Sequence, residues 1–69
     1  MILDRKLVNH DHVRRFTVRP NSPGWNVREE HDSMVIRETH YGDWHHVELD
    51  ARLFQQTVRA LEREGWVER

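Results

Sequence analysis

"THYGDWHHVEL", residues 39–49, is the stretch on which the fold turns. Two readings compete for it. In the first, Gly42-Asp43 is a two-residue hairpin turn that pairs Tyr41 with Trp44, and "WHHVEL" is a further strand. In the second, Asp43 is an N-cap whose carboxylate takes an orphan amide proton from His45 or His46, and a helix begins at once. Phase separates them. Trp44, Val47, Ala51, Phe54, Val58 and Leu61 recur at helical spacing and form one apolar stripe about 100° wide. A strand joined to a separate helix would match that phase only by coincidence. The spacing therefore predicts one helix over 43–64. Its stop is also written in the chain: Gly65 can adopt the left-handed conformation past the last turn, and Trp66 then falls over Leu61.

Working back from the helix, "VRRFTVR" (13–19) reads as a strand, with Phe16 and Val18 sharing one face with Arg14, and Arg15, Thr17 and Arg19 on the other. "PNSPG" breaks the chain with two prolines that cannot donate to a ladder. "WNVREEH" (25–31) resumes the period of two, "HDS" turns, and "MVIRETHY" (34–41) returns. A His31-Asp32 turn sets Val27 opposite Ile36 and Trp25 opposite Glu38. A slip of one residue instead puts Val35, Thr39 and Tyr41 on the Trp25 face. Pairing two β-branched residues favours Ile36 inward. Residues 1–12 form an arm in which Ile2, Leu3, Leu7 and Val8 fit a frayed end, a short helix or an edge strand alike. The predicted fold is thus α+β. A three-stranded antiparallel β-meander (13–19, 25–31 and 34–41) is packed on one face by a single long C-terminal α-helix, together one domain over residues 13–69. This βββα order is similar in outline to double-stranded-RNA-binding domains, whose last helix opens on lysines that sit on phosphates. Here that opening is "DWHHVE", acidic and lysine-free, so the resemblance implies no such contact.

A chain of 69 residues is one domain at most. At this size folding hides only about 60% of the unfolded surface, so a partner or an unusually good core is expected. Cysteine is absent, which excludes disulfides, thiolate zinc sites and cysteine nucleophiles and fits a reducing cytoplasmic setting. "MILDRKLV" carries Asp4 early and resembles neither a signal peptide nor a span, so no membrane role is expected. A net charge of −1 argues against a polyanion binder held by bulk attraction. Ser22 and Ser33, the only serines, both fall in turns. With no glycine-rich phosphate loop and little chain to enclose a substrate, neither an enzyme nor a cofactor is expected.

The candidate functional residues fall into three groups. Leu49, Leu53 and Ala60 project about 140–180° from Trp44, on the side of the helix away from the core stripe. Two leucines one turn apart on so small a domain call for cover, either from the arm within the chain or from a second copy in a homodimer. Arg15, Arg19, Arg28 and Arg37 with Tyr41 would suit single-stranded nucleic acid on an open sheet face, although Glu29, Glu30, Asp32 and Glu38 dilute the field. The histidines read as solvated: His45 and His46 are adjacent, hence about 100° apart, and cannot share one ion from a single helix. His46 and Asp50 are placed for a carboxylate-oriented imidazole, and His10 with His12 forms a pair on the arm. No metal site is assigned to these or to His40.

Overall fold

A computed structural model describes residues 3–69. In chain order it contains β1 (Leu3–Asn9), β2 (His12–Pro20), β3 (Trp25–His31), β4 (Met34–Tyr41), α1 (Trp44–Arg63) and β5 (Val67–Glu68). The strands form one antiparallel sheet in the order β4-β3-β2-β1-β5, and α1 packs across one face. The α+β class holds, but the meander has four long strands instead of three. Residues 3–9 of the arm pair with β2 from Leu3 opposite Val18 to Asn9 opposite His12. Ile2 lies outside the described residues.

An arginine at an inward position hides β1 from the sequence. Leu3, Arg5 and Leu7 face the helix, and Leu7 is fully buried, while Asp4 and Lys6 point to solvent. Arg5 is accommodated because its guanidinium lies 5.8 Å above the Phe54 ring and donates to Gln55 at 2.6 Å and to both oxygens of Glu68 at 2.7 Å. Glu68 belongs to β5, which closes the outer edge of β1 by pairing Val67 with Val8 and Glu68 with Leu7. The Arg69 amide extends that closure by donating to the Lys6 carbonyl at 2.9 Å.

The turn between β3 and β4 is Asp32-Ser33, not His31-Asp32. Both residues have positive φ (51° and 70°), as a two-residue type I′ turn requires. His31 therefore pairs with Met34 and Glu30 with Val35, and a β-bulge then skips Ile36 so that Arg37 faces Glu29. Beyond it Val27 faces Thr39 and Trp25 faces Tyr41. The expectation of Ile36 inward is overturned, and Ile36 is 53% exposed. The physical reason is charge: the bulge replaces an Ile–Glu juxtaposition on the helix side with an Arg–Glu pair, and it aligns two aromatic rings.

The helix begins where phase placed it. Asp43 is in extended conformation, its carboxylate accepts the His46 amide proton at 3.0 Å, and Trp44 opens the first turn. The end is a Schellman motif: Gly65 has φ 102°, its amide donates to Glu62 at 3.2 Å, and the Trp66 amide donates to Leu61 at 3.1 Å. Val47, Phe54, Val58 and Leu61 meet Leu7, Phe16, Val18 and Val27 in the core, with Trp66 against its margin. Phe54 lies almost parallel to Phe16, with centroids 4.5 Å apart. Trp44, at the end of the stripe, leans edge-on against Trp25. Gly24 supplies a close approach: a Cβ there would lie 2.1 Å from the Tyr41 carbonyl oxygen, so only glycine lets the Pro-rich loop fold against the end of β4.

Candidate functional site

Two polar contacts fix which flank of α1 faces which strand. Gln55 meets Arg5 of β1, and Asp50, buried at 7% exposure, bonds Arg37 of β4. Tyr41 stacks on His46 at 5.4 Å, so β4 and α1 run side by side in opposite directions. A helix turns about 100° per residue, so Leu53 sits about 60° beyond Asp50, further from the core and on the β4 side. Leu49 and Ala60 share that flank. The structure leaves Leu49 41% and Leu53 57% exposed, and Ala60 is exposed as well. Among the described residues of the arm, Leu7 enters the main core and does not cover them. Between Leu49 and Ala60 the outer part of this flank holds Leu53, Gln56 and Thr57, and the one charged residue on it, Asp50, is buried against Arg37. Past Arg37 on the same edge strand Met34, Val35 and Ile36 are exposed, Val35 opposite Glu30 and so on the open face of the sheet.

The arginines distribute differently. Arg15 and Arg28 lie on the open sheet face, but each already holds a carboxylate. Arg15 donates to both oxygens of Asp4, at 2.9 and 2.5 Å, and Arg28 donates to Glu38 at 2.8 Å. These contacts raise both guanidinium pKa values and hold the Asp4 carboxyl below its ordinary value. Arg19 is exposed on the same face. Arg37 and Tyr41 are not there: they face the helix. Burial pulls Arg37 down, but the Asp50 charge, the Tyr41 hydroxyl and Glu29 together raise it. Two depressions on the open face, one lined by Thr17, Arg19, Asn26 and Arg28 and the other by Lys6, Arg15 and Glu30, hold about 160 and 260 Å³. Both fall short of the roughly 300–1,000 Å³ of small-molecule pockets.

His40 and His46, near the helix start, are held by local partners. His46 Nδ1–H donates to the Asp43 carboxylate at 2.9 Å, not to Asp50, whose partner is Arg37. His40 donates to the Asn21 carbonyl at 2.9 Å. A different set converges elsewhere. His12 opens β2, His31 closes β3, and Asp32 sits in the following turn. His12 Nδ1 lies 2.9 Å and His31 Nε2 lies 3.4 Å from the same oxygen, Asp32 Oδ2. The other oxygen, Oδ1, accepts the Val13 amide proton at 2.8 Å. In the sequence His12 stands beside His10, nineteen positions before His31, with no local spacing that joins the two. The strand pairing that puts Arg14 opposite His31 is the signal that joins them.

No protein-family model, curated protein or solved structure matches the chain. No helix among the described residues is long and apolar enough to cross a membrane.

Proposed function

We propose that this chain is a small non-catalytic interaction module that pairs with a second copy of itself. The contact is the α1 flank bearing Leu49, Leu53 and Ala60, beside the exposed edge strand that begins at Met34. The observation that supports this reading is the pair of exposed leucines on a flank whose one charge, Asp50, is buried against Arg37, beside the sheet edge formed by β4. Charged side chains are depleted at the centres of protein interfaces. The opposite edge is covered by β5 only over Leu7 and Val8. A two-fold axis beside α1 sets each leucine against its own counterpart, the self-complementary arrangement of a C2 dimer. The β-bulge at Ile36 and the charges of Arg37 and Glu38 blunt strand-to-strand pairing, so helix flanks form the centre. An interface of ordinary size covers roughly 800 Å² per partner, about a sixth of the 4882 Å² surface. The nucleic-acid reading has weaker support, because Arg15 and Arg28 would have to surrender their carboxylates before meeting phosphate.

The test is a doubly substituted chain, Leu49→Gln with Leu53→Gln, compared with the parent by sedimentation equilibrium. Burying a leucine fully contributes roughly 1.5–3 kcal/mol. Scaled by exposures of 41% and 57%, the two side chains contribute about 1.5–3 kcal/mol per copy and about 3–6 per dimer. The dimer should therefore weaken by two to four decades on the relation of about 1.4 kcal/mol per decade. The thermal stability of the monomer should hardly move, since neither side chain lies in the core. A parent chain that sediments as a monomer throughout, or a substituted chain that associates as well as the parent, would remove the basis of the reading.

A further inference from the structure

We propose that His12, His31 and Asp32 form a binding site for a divalent transition-metal cation of the zinc class. The geometry carries the inference. In a tetrahedral zinc centre with bonds near 2.0–2.1 Å, neighbouring donor atoms stand roughly 3.3 Å apart. The two measured edges of this cluster, 2.9 Å from Asp32 Oδ2 to His12 Nδ1 and 3.4 Å to His31 Nε2, bracket that value. All three donor atoms lie within 4.8 Å of one another, so a modest rotation of the rings closes the third edge. A simple ion pair explains one imidazole beside the carboxylate. It does not require a second imidazole, from another strand, to aim at the same oxygen.

The surroundings hold the donors in place, as outer contacts do in metal centres. The Asp32 rotamer is set by the Val13 amide on Oδ1, and the Asp32 backbone by its φ of 51° and by its own amide donating to Val13 at 2.8 Å. The His31 ring stands edge-on to Trp66, which packs against the core, and edge-on to His12 at 6.0 Å. Trp66 follows the carbonyl end of α1, where the helix dipole favours positive charge. A set of two imidazoles and one carboxylate suits zinc, cobalt, nickel or copper ions better than calcium or magnesium, which take mainly oxygen donors. Three protein ligands leave one coordination position to water or to an external donor. The bound ion would tie the first residue of β2 to the end of β3 and its turn, a clip for a chain that has no cysteine. His12 would coordinate through Nδ1 and keep its proton on Nε2, and His31 would do the reverse.

The experiment is zinc chloride titration of the full chain by calorimetry, with cobalt(II) absorption and long-range ¹⁵N spectra of the histidine side chains. Parallel titrations use His31→Gln, Asp32→Asn and, as a control for the other imidazoles, His45→Gln with His46→Gln. Asn tolerates the left-handed turn conformation, so Asp32→Asn keeps the fold while removing the anionic donor. The expected result is one ion per chain, shifts confined to His12 Nδ1 and His31 Nε2, and an affinity lowered about tenfold or more by either site substitution but not by the control. No saturable binding, binding lost only in the control, or unchanged affinity in His31→Gln and Asp32→Asn would overturn the assignment.

Discussion

Replacing Arg37 by methionine should be far more damaging than replacing its partner Asp50 by leucine. Asp50 is 7% exposed, on the half-buried flank of α1, and Arg37 is its one polar partner among the described residues. Removing the guanidinium strands a carboxylate away from water. For a fully buried pair that costs about 3–5 kcal/mol. Here the Arg37 side chain is 39% exposed, so water can reach the vacated side and screening lowers the figure to about 2–3 kcal/mol. A domain this small loses about 4–8 °C of melting temperature per kcal/mol, so Arg37→Met should melt roughly 10–20 °C below the parent. Asp50→Leu leaves Arg37 with Glu29 at 3.6 Å, the Tyr41 hydroxyl at 3.4 Å and open water. Its cost should stay below about 1 kcal/mol. The double replacement should regain most of what Arg37→Met loses. Urea unfolding followed by circular dichroism gives all three values in one double-mutant cycle. Equal costs for the two single replacements, or an Arg37→Met cost under about 0.5 kcal/mol, would refute the idea that α1 docks on β4 through a desolvated carboxylate.

Other expectations follow from the same geometry. Asp43→Ala removes the acceptor for the His46 amide and should destabilise the chain by about 1 kcal/mol, visible as helix fraying in amide exchange at Trp44 to Val47; unchanged exchange there would discount the cap. Gly24→Ala forces a Cβ to within 2.1 Å of the Tyr41 carbonyl; the loop must shift, and stability should drop by more than about 1 kcal/mol in denaturant. The carboxyls of Asp4, Asp32, Asp43 and Glu68 are all held below their ordinary values, by Arg15, by His12, by the His46 amide and by Arg5 respectively. A lowered carboxyl stabilises the fold above its ordinary value and loses that contribution as pH falls through the folded one, so melting temperature should decline below 4.5 and 3.8. His12 is raised above 6.5 by Asp32 and works oppositely: its contribution is complete below that value and fades as pH rises through the folded one. A melting temperature that is flat across both windows would contradict these pairings.

The helix was legible because three independent signals agreed: the phase of Val47 through Leu61, Asp43 before it and Gly65 after it. Strand register was not, for local reasons. The Asp32-Ser33 turn lacks the glycine that usually marks a type I′ turn, and the Val27–Ile36 pairing looked better than a salt link that only the folded helix completes. β1 was hidden because Arg5 stands at an inward position, and Glu68 and Gln55, which make that tolerable, lie at the far end of the chain. The exposed leucines followed directly from helix phase and sit where that phase put them. The His12–His31–Asp32 cluster could not be seen in advance, since two of its members are twenty residues apart and meet only once β2 and β3 are paired. Arg37 and Tyr41 were placed on the open face by the same register slip that misplaced Ile36.

The pairing of helix flanks is best tested by isotope-filtered nuclear Overhauser spectroscopy on an equal mixture of labelled and unlabelled chains, with solution mass measured on the same sample. A two-fold contact through α1 gives cross-copy signals among the methyls of Leu49, Leu53 and Ala60, and a mass near twice the 8.5 kDa of one chain. A mass of one chain with no such signals, or cross-copy signals found only on the open face of the sheet, would contradict it.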